Sequence, residues 1–577
     1  MFRDKYLDYA ELTAQLAAWQ KAHPDFVRVT SIGKSAEGRD IPLVTIGRKP
    51  DEHRPAIWVD GNMHATELCG SSVALAIAED VINIHRGQPA SSGHPASPRH
   101  PGEGRDPVLP AHMADVLRES LFYVVPRMSP DGAEAVLKTG RYVRSSPMDK
   151  RKHKGHAYWE AHDFDGNGQI NYMRQQNDDG ELVELPGHPG VMVPRMPEDP
   201  PPYYRIYPEG RIVNFDGRRI PDPYFLSDNQ YDFNRNFPYT WAPEHEQEGA
   251  GDYPGSAPET RAILDFSIAH PNIFAWLNLH TFGGVLIRPL GDKPDDKMDQ
   301  GDLAVYRQVE AWMKEFTGYP TVSGFHEFLY APEKPLKGDL TDYAYHQRGA
   351  IAYVIELWDL FTQIGMERKK PFVDVYSRFD RKDYVALAKW DKEVNKGRVF
   401  GTWRKTKHPQ LGEVEVGGLD NRVGISNPPY ELLAKVCEEQ SAAFLRVAAL
   451  VPRVSIEKVA QEKIGGDLTR IELRIANKGY LATYGLSSAK KLPFSEALRV
   501  TTEGQGVKIT APSETVIEVG HLEGWGQGLY AGSNVFFPWM RGNANERFVT
   551  LIAQGSGKLR VKVGSVRVGY RDLEIAV

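Results

Sequence analysis

An α/β fold with a mixed central sheet flanked by helices, followed by a C-terminal β-sandwich, is predicted by three features of the 577-residue sequence. Short apolar runs of strand length alternate with a segment of helical period near the start. Three apolar runs, 56–60, 272–279 and 350–357, each lead into a histidine or glutamate. Beyond about residue 453 the pattern becomes a strict alternation of apolar and polar side chains.

The elements follow in order. Residues 7–23 are a helix, with Leu12, Leu16 and Trp19 at helical spacing and Pro24 closing it. Runs 27–32, 41–46 and 56–60 are strands, and 71–84, rich in Ala, Val and Ile, is a second helix. From 88 to 112 the composition turns to Pro, Gly, Ser and His, an insertion without a core, whose His94, His100 and His112 are read as solvated. A strand at 121–125 resumes the fold and runs into the turn Pro126-Arg127-Met128-Ser129-Pro130-Asp131-Gly132. Residues 145–228 form a second polar insertion that would crowd one edge of a nearby site, 272–279 and 350–357 are buried strands, and 431–450 is a closing helix. Alternation such as Leu559-Arg560-Val561-Lys562-Val563 marks the β-sandwich. The expected domains are 1–452, with insertions at about 86–114 and 145–228, and 453–577, a stabilising appendage or a module that shapes access to a cleft.

Composition narrows the function. With 41% hydrophobic and 25% charged residues the chain is an ordinary globular one, and a net charge of -6 with pI near 6.3 gives no basic footprint for nucleic acid. The mean hydropathy of -0.46, and the lack of any apolar run near the roughly 20 residues that span a bilayer, argue against a membrane protein. Met1 is followed by Phe2-Arg3-Asp4-Lys5-Tyr6 and not by a signal sequence, which favours the cytoplasm unless a leader has been removed. Two cysteines, Cys69 and Cys437, make no disulfide framework, and Cys69 is read as a small packing residue. Small or polar substrates are the expected partners; oligomeric state is not readable.

The chemistry starts at Gly61-Asn62-Met63-His64-Ala65-Thr66-Glu67. An imidazole and a carboxylate three residues apart across a turn can converge on one cation, and they suit zinc. Among 18 histidines about one His-x-x-Glu arises by chance, and two further matches, His100/Glu103 and His245/Glu248, lack a strand and helix around them. His64/Glu67 gains meaning from His280 and Glu356, which end two other apolar strands, where open α/β sheets place ligand sites. Two histidines and Glu67 leave a fourth position on zinc open for water, and Glu356, an acid costly to bury without a partner, is placed to act as general base in a hydrolysis. In the second insertion, Asp163, Asp165 and Asn167 alternate with Gly168 at the sixth position as in a calcium loop, but the twelfth residue is Arg174. A bound calcium and an Asp/Gly-rich turn both remain open.

These residues resemble the zinc carboxypeptidases of the carboxypeptidase A type over roughly residues 6–450. The likeness is carried by ordered blocks: Ser35-Ala36-Glu37-Gly38-Arg39-Asp40-Ile41, the His64 motif, Asp232-Phe233-Asn234-Arg235-Asn236-Phe237, Tyr253-Pro254-Gly255 with Pro258-Glu259-Thr260, His280 and Glu356-Leu357. It implies that His64, Glu67 and His280 bind zinc, that Glu356 is the base, and that Asp232 orients His64. It implies also that Asn234 and Arg235 hold the free C-terminal carboxylate of a peptide substrate. A guanidinium fork suits that task. An oxyanion-stabilising arginine is expected after the 130–132 turn, where Arg144 is preferred to Arg141; such a donor is typically worth ~3 kcal/mol. Tyr330 best matches the substrate-capping tyrosine, although residues 332–337 separate it from Thr341, which falls in the side-chain pocket near Asp339. Thr66 stands where the family often carries arginine. Three functions follow: removal of a C-terminal residue from peptides, cell-wall peptides included; hydrolysis of another amide on the same zinc scaffold; and peptide binding without cleavage, against which Glu356 argues.

Overall fold

The computed structural model describes residues 1–90, 109–149, 151, 154–223, 231–331, 333–526, 528 and 542–577. His94, His100, Glu103 and Pro332 lie outside the described residues. The first helix, Tyr9–Ala22, begins at a capping box in which Asp8 and Glu11 satisfy each other's backbone N–H, and it buries Leu12, Leu16 and Trp19. Helix Cys69–His85 is buried almost throughout because it lies between the sheet and the closing helix Tyr430–Ala448.

Eight strands form the central mixed sheet, in the order Val27–Lys34, Asp40–Ile46, Leu121–Val125, Ala56–Gly61, Ile273–Thr281, Ile351–Leu357, Val285–Arg288, Thr321–Ser323. The four inner strands, from Leu121–Val125 to Ile351–Leu357, run parallel, and antiparallel pairs flank them. Both faces are covered, so the inner strands are apolar on both sides. Ile57, Val59, Leu277 and Leu279 join the core beneath Cys69–His85, while Trp58 and Trp276 face the helix Pro258–Ala269. Register decides what meets at the strand ends: Gly61 pairs with Leu279, and His280 pairs with Glu356.

Glu259, at the start of helix Pro258–Ala269, is 1% exposed; one oxygen accepts the Ala36 N–H at 3.1 Å and the other has no partner. Burial pushes its pKa up to about 7, from 4.5. The folded chain therefore keeps a proton over a window in which the unfolded chain has lost it, and stability falls as pH rises from about 4.5 to about 7. Glu259→Gln cannot ionise. It should be more stable than the natural protein by ~2 kcal/mol at pH 8, with the gap closing near pH 4.5. Urea unfolding at both pH values measures this, and parallel curves for the two proteins would refute it.

The second insertion carries more structure than its polar composition suggests. Tyr172–Gln176, Tyr204–Pro208, Leu182–Glu184 and Met192–Pro194 join Arg404–His408 and Gly412–Gly417 in a six-stranded sheet, and Tyr158–Ala161 pairs with Gly210–Val213. Trp159, Met173, Tyr207, Ile212, Val414 and Val416 give it a small core of its own.

The C-terminal unit is an antiparallel sheet folded over on itself. Its long strand Glu546–Ser565 pairs with Leu468–Asn477 along its first half and with Gly569–Ala576 along its second, while Leu498–Ala511 borders both halves. Ile471, Leu473, Leu551, Leu559 and Val561 fill the interior and merge with the core of the α/β domain. Arg567 pins the two units together: its guanidinium is fully buried, donates to the Arg348 and Gly349 carbonyls, and lies over the rings of Phe274 and Phe494. No helix among the described residues is long and apolar enough to cross a membrane.

Candidate metal centre

Three strand ends and one tight turn assemble the site. After strand Ala56–Gly61, Asn62 takes a left-handed conformation (φ 58°), and its amide donates to the His64 and Ala65 carbonyls at 2.8 and 3.0 Å, closing the turn. A Cβ on Gly61 would meet the Gly70 carbonyl oxygen at 2.4 Å, and one on Gly70 would meet that of Leu279 at 2.9 Å. The turn, the start of helix Cys69–His85 and strand Ile273–Thr281 therefore touch backbone to backbone. That close approach brings His64 and Glu67 beside His280.

His64, Glu67 and His280 are all buried, with ligand atoms close enough to hold one ion. His64 Nδ1 lies 2.7 Å from Glu67 Oε1, His280 Nδ1 lies 3.0 Å from Glu67 Oε2, and the two Nδ1 atoms are 3.0 Å apart. The outer nitrogens settle the tautomers. His64 Nε2 faces the Asp232 carboxylate at 3.0 Å, an acceptor, so it carries the hydrogen. His280 Nε2 faces Asn278 Oδ1 at 2.5 Å, and the amide of Asn278 is oriented by donating to Asp60. Asp60, fully buried, also accepts the indole N–H of Trp58 and Trp276 at 2.7 and 2.9 Å. Both inner Nδ1 atoms thus turn lone pairs toward a carboxylate. Three converging acceptors with no donor among them fit a divalent cation, and this donor set fits zinc.

Charges around the cluster are arranged by burial and pairing. Burial raises the pKa of Glu67, but positive charge on the two imidazoles outweighs it and holds the carboxyl below its usual range, the part that a bound cation takes over when both Nδ1 atoms carry lone pairs. Asp232 is likewise raised by burial and held well below by Arg144, His64 and Arg235. Arg144 Nε donates to Asp232 at 3.0 Å, and its Nη1 lies 3.6 Å from Glu67. Glu356 goes the other way: burial and the negative charge of Glu67 push its pKa well up, against a smaller pull from Arg144. Its carboxylate makes no hydrogen bond or ion pair among the described residues.

The other expected residues fall at varied distances from this centre. Asn234 and Arg235 are buried in the turn after Asp232, where Asn234 Oδ1 accepts the Leu340 N–H at 2.9 Å and Arg235 donates to the Asn234 carbonyl at 2.6 Å. Thr341 is buried with an unpartnered hydroxyl, and Asp339 caps its short helix, Leu340–His346, by accepting the N–H of Thr341 and Asp342. Tyr330 is 66% exposed, within the electrostatic reach of Glu356, Arg144 and Arg235. Arg141 lies apart, on the wall of a separate cavity. Thr66 donates to the Val143 carbonyl at 3.1 Å and so fixes the segment that carries Arg144. Cys69 packs in the core, and His245 is exposed.

Calcium at Asp163, Asp165 and Asn167 is not supported. Asp163 accepts the N–H of Gly166 and Gly168 at 2.7 and 2.8 Å, and Asn167 accepts that of Gln169 at 2.6 Å, so these oxygens hold an Asp/Gly-rich turn. Asp163 and Asp165 approach Glu209, but both Glu209 oxygens are engaged by the backbone of Phe164 and Asn171. Sequence reasoning missed Asp60, Asn278 and Tyr376, whose hydroxyl donates to the Phe282 carbonyl within the field of Glu356. Asp60 carried a signal: it is an acid at the end of an apolar strand, as Glu356 is.

An α/β domain with a His–Glu–His cradle at the C-terminal ends of parallel strands is a framework that can hold one metal ion. The chain belongs to the zinc carboxypeptidase family, whose model matches residues 12–181 and 215–366. Residues 453–576 match a model described only as a domain of unknown function. Carboxypeptidase B of Astacus astacus is 30% identical over 128 residues, 22% of this chain and 33% of that protein. Carboxypeptidase D of Mus musculus is 21% identical over 412 residues, 67% of this chain and 21% of that protein. Matches to carboxypeptidases A6 and M of Mus musculus span 24% and 27% of those proteins' own length. The solved carboxypeptidase A from Helicoverpa armigera is 16% identical, covering 78% of this chain and 74% of its own, with a TM-score of 0.41. Family membership implies zinc, for which the three-residue cluster is the candidate site.

Proposed function

We propose that the protein is a zinc metallocarboxypeptidase that hydrolyses the C-terminal peptide bond of peptides. The observation that carries this reading is the convergence of His64, Glu67 and His280 beside Glu356, which the sheet register sets next to His280. Zinc bound there supplies Lewis acidity toward the scissile carbonyl. Glu356 takes a proton from the attacking water and returns it to the leaving amine nitrogen. Arg144, oriented by Asp232, donates to the carbonyl oxygen as charge develops on it. Arg235 pairs with the substrate's C-terminal carboxylate and Asn234 aligns it, Thr341 lines the pocket for the departing side chain, and Tyr330 closes over the cleft.

Matched peptides with free and amidated C-termini test this. Removing the charge that Arg235 holds should lower kcat/KM by about 100-fold, the value of one lost charge-assisted pair. Equal rates on both peptides would instead favour an amidohydrolase that does not read a C-terminus. No cleavage of either would leave a binding protein.

A further inference from the structure

A cavity of about 550 Å³ opens at the seam between the α/β domain and the C-terminal unit. The seam is drawn tight at Gly569, which has a φ of 72°: a Cβ there would fall 1.8 Å from the His53 carbonyl oxygen and 2.9 Å from Arg54 Cα, so only glycine lets the two backbones touch. That contact sets Arg54, from the loop that enters strand Ala56–Gly61, near Arg571 on strand Gly569–Ala576, and both line the cavity. Arg453 and Lys478 line it too, joined by the Lys478 N–H bonding the Arg453 carbonyl at 2.8 Å. Arg54 lies in the stretch that matches the zinc carboxypeptidase model and the other three in the stretch of unknown function, so neither domain builds the cavity alone.

Besides these four cations, the walls carry two acids, and both acids are already engaged. Glu119 pairs with Arg453 at 3.2 Å and Asp572 with Arg560 at 3.1 Å, while Lys478 pairs with Glu457 at 2.8 Å. Arg54 and Arg571 form no ion pair among the described residues. Arg54 donates to the Lys49 carbonyl at 3.2 Å, and its Nε is buried with no partner, which is a costly state for an N–H. Arg571 reaches the Tyr570 carbonyl at a long 3.4 Å. Burial lowers the pKa of Arg54, Glu52 offsets part of this, and the neighbouring charge of Arg571 lowers it again. Two guanidinium groups that repel each other beside a cavity, with no wall acid left for them, are short of an anion.

We propose that this seam is a binding site for a small phosphate ester, with Arg54 and Arg571 as its anchors. Guanidinium forks bond phosphate oxygens in pairs, and the three terminal oxygens of a phosphate ester can meet two forks from two directions, whereas the two oxygens of a carboxylate are filled by one. The cavity has the size of a small-molecule site and not of a bare ion, and Val454 and Ile456 give it an apolar wall for the organic group. No residue of the metal centre lines it, so the site is separate from that centre and does not depend on the carboxypeptidase reading. Because its anchors come from both domains, the bound ester ties the C-terminal unit to the loop that leads into strand Ala56–Gly61.

The test is calorimetric titration of the full chain, at physiological salt, with phenyl phosphate, inorganic phosphate and benzoate. Phenyl phosphate should bind once per chain, about tenfold more tightly than either of the other two. Arg54→Gln and Arg571→Gln should each weaken it about tenfold, and Arg571→Lys, which keeps the charge but not the fork, should lose less. Phenyl phosphate should also raise the Tm of the natural protein and leave that of the two glutamine variants nearly unmoved. His280→Ala, which disables the candidate metal centre, should bind phenyl phosphate as the natural protein does. Loss of binding in His280→Ala would place the ligand at that centre and overturn the seam site. Absence of binding in the natural protein, or binding that Arg54→Gln and Arg571→Gln both leave unchanged, would overturn it as well. Benzoate bound as tightly as phenyl phosphate would overturn the choice of phosphate, and inorganic phosphate bound as tightly would overturn the choice of an ester.

Discussion

Glu356→Gln should lower kcat on a C-terminal peptide substrate by about 10³-fold while leaving the protein at least as stable as before. The two halves have opposite signs, and this makes the test sharp. Glutamine keeps the shape of glutamate but cannot accept a proton at neutral pH, so the base is lost. In stability the charge is a liability: Glu356 sits at the end of a buried strand, its pKa is driven up by burial and by Glu67, and its carboxylate has no hydrogen-bonding partner to orphan. Its backbone is fixed independently, by pairing with His280 and Val285 and by accepting the Gly284 N–H at 2.8 Å. A structural acid would behave in reverse, with stability lost and kcat nearly kept. Steady-state kinetics, thermal unfolding and zinc content on one preparation separate these outcomes, and full activity in Glu356→Gln removes the residue from the mechanism.

What the sequence disclosed and what it hid divide along physical lines. The parallel inner strands were legible because burial on both faces leaves continuous apolar runs, and a polar residue at the end of such a run stands out, as His280 and Glu356 do. The pairing of these two across neighbouring strands was not legible, since register depends on contacts among distant segments. Asp60 was passed over although it breaks an apolar run in the same way; its role emerges only once Trp58, Trp276 and Asn278 are seen to donate to it. The second insertion reads as loop because its strands are three to five residues long, half-buried and punctuated by Pro and Gly. They pair with one another and, through Tyr172–Gln176, with Gly412–Gly417, more than 200 residues away in the chain. Thr66 stands where the family often carries arginine, and its hydroxyl bonds the chain beside Arg144, a role no local pattern could reveal.

Chelation of the metal should end hydrolysis and also lower Tm by about 5 °C, with zinc restoring both. The second effect follows from the tautomers. Asp232 and Asn278 accept the Nε2–H of His64 and His280, so the two Nδ1 lone pairs and the Glu67 carboxylate face each other within 3.0 Å, with nothing in the cluster to donate. Such a triad is unfavourable without a cation, and an ion that binds the folded chain at 1,000 times its Kd adds roughly 4 kcal/mol. His280→Ala should lose activity and the Tm response to zinc together, while keeping most of its apo stability, because removing one of three facing acceptors relieves repulsion as it opens a cavity. Glu356→Gln, by contrast, should respond to zinc as the natural protein does, since it contributes no ligand. The two variants therefore separate metal binding from proton transfer. A chelated protein whose Tm and hydrolysis are both unchanged would mean that the three acceptors hold no metal and that the hydrolysis has another origin.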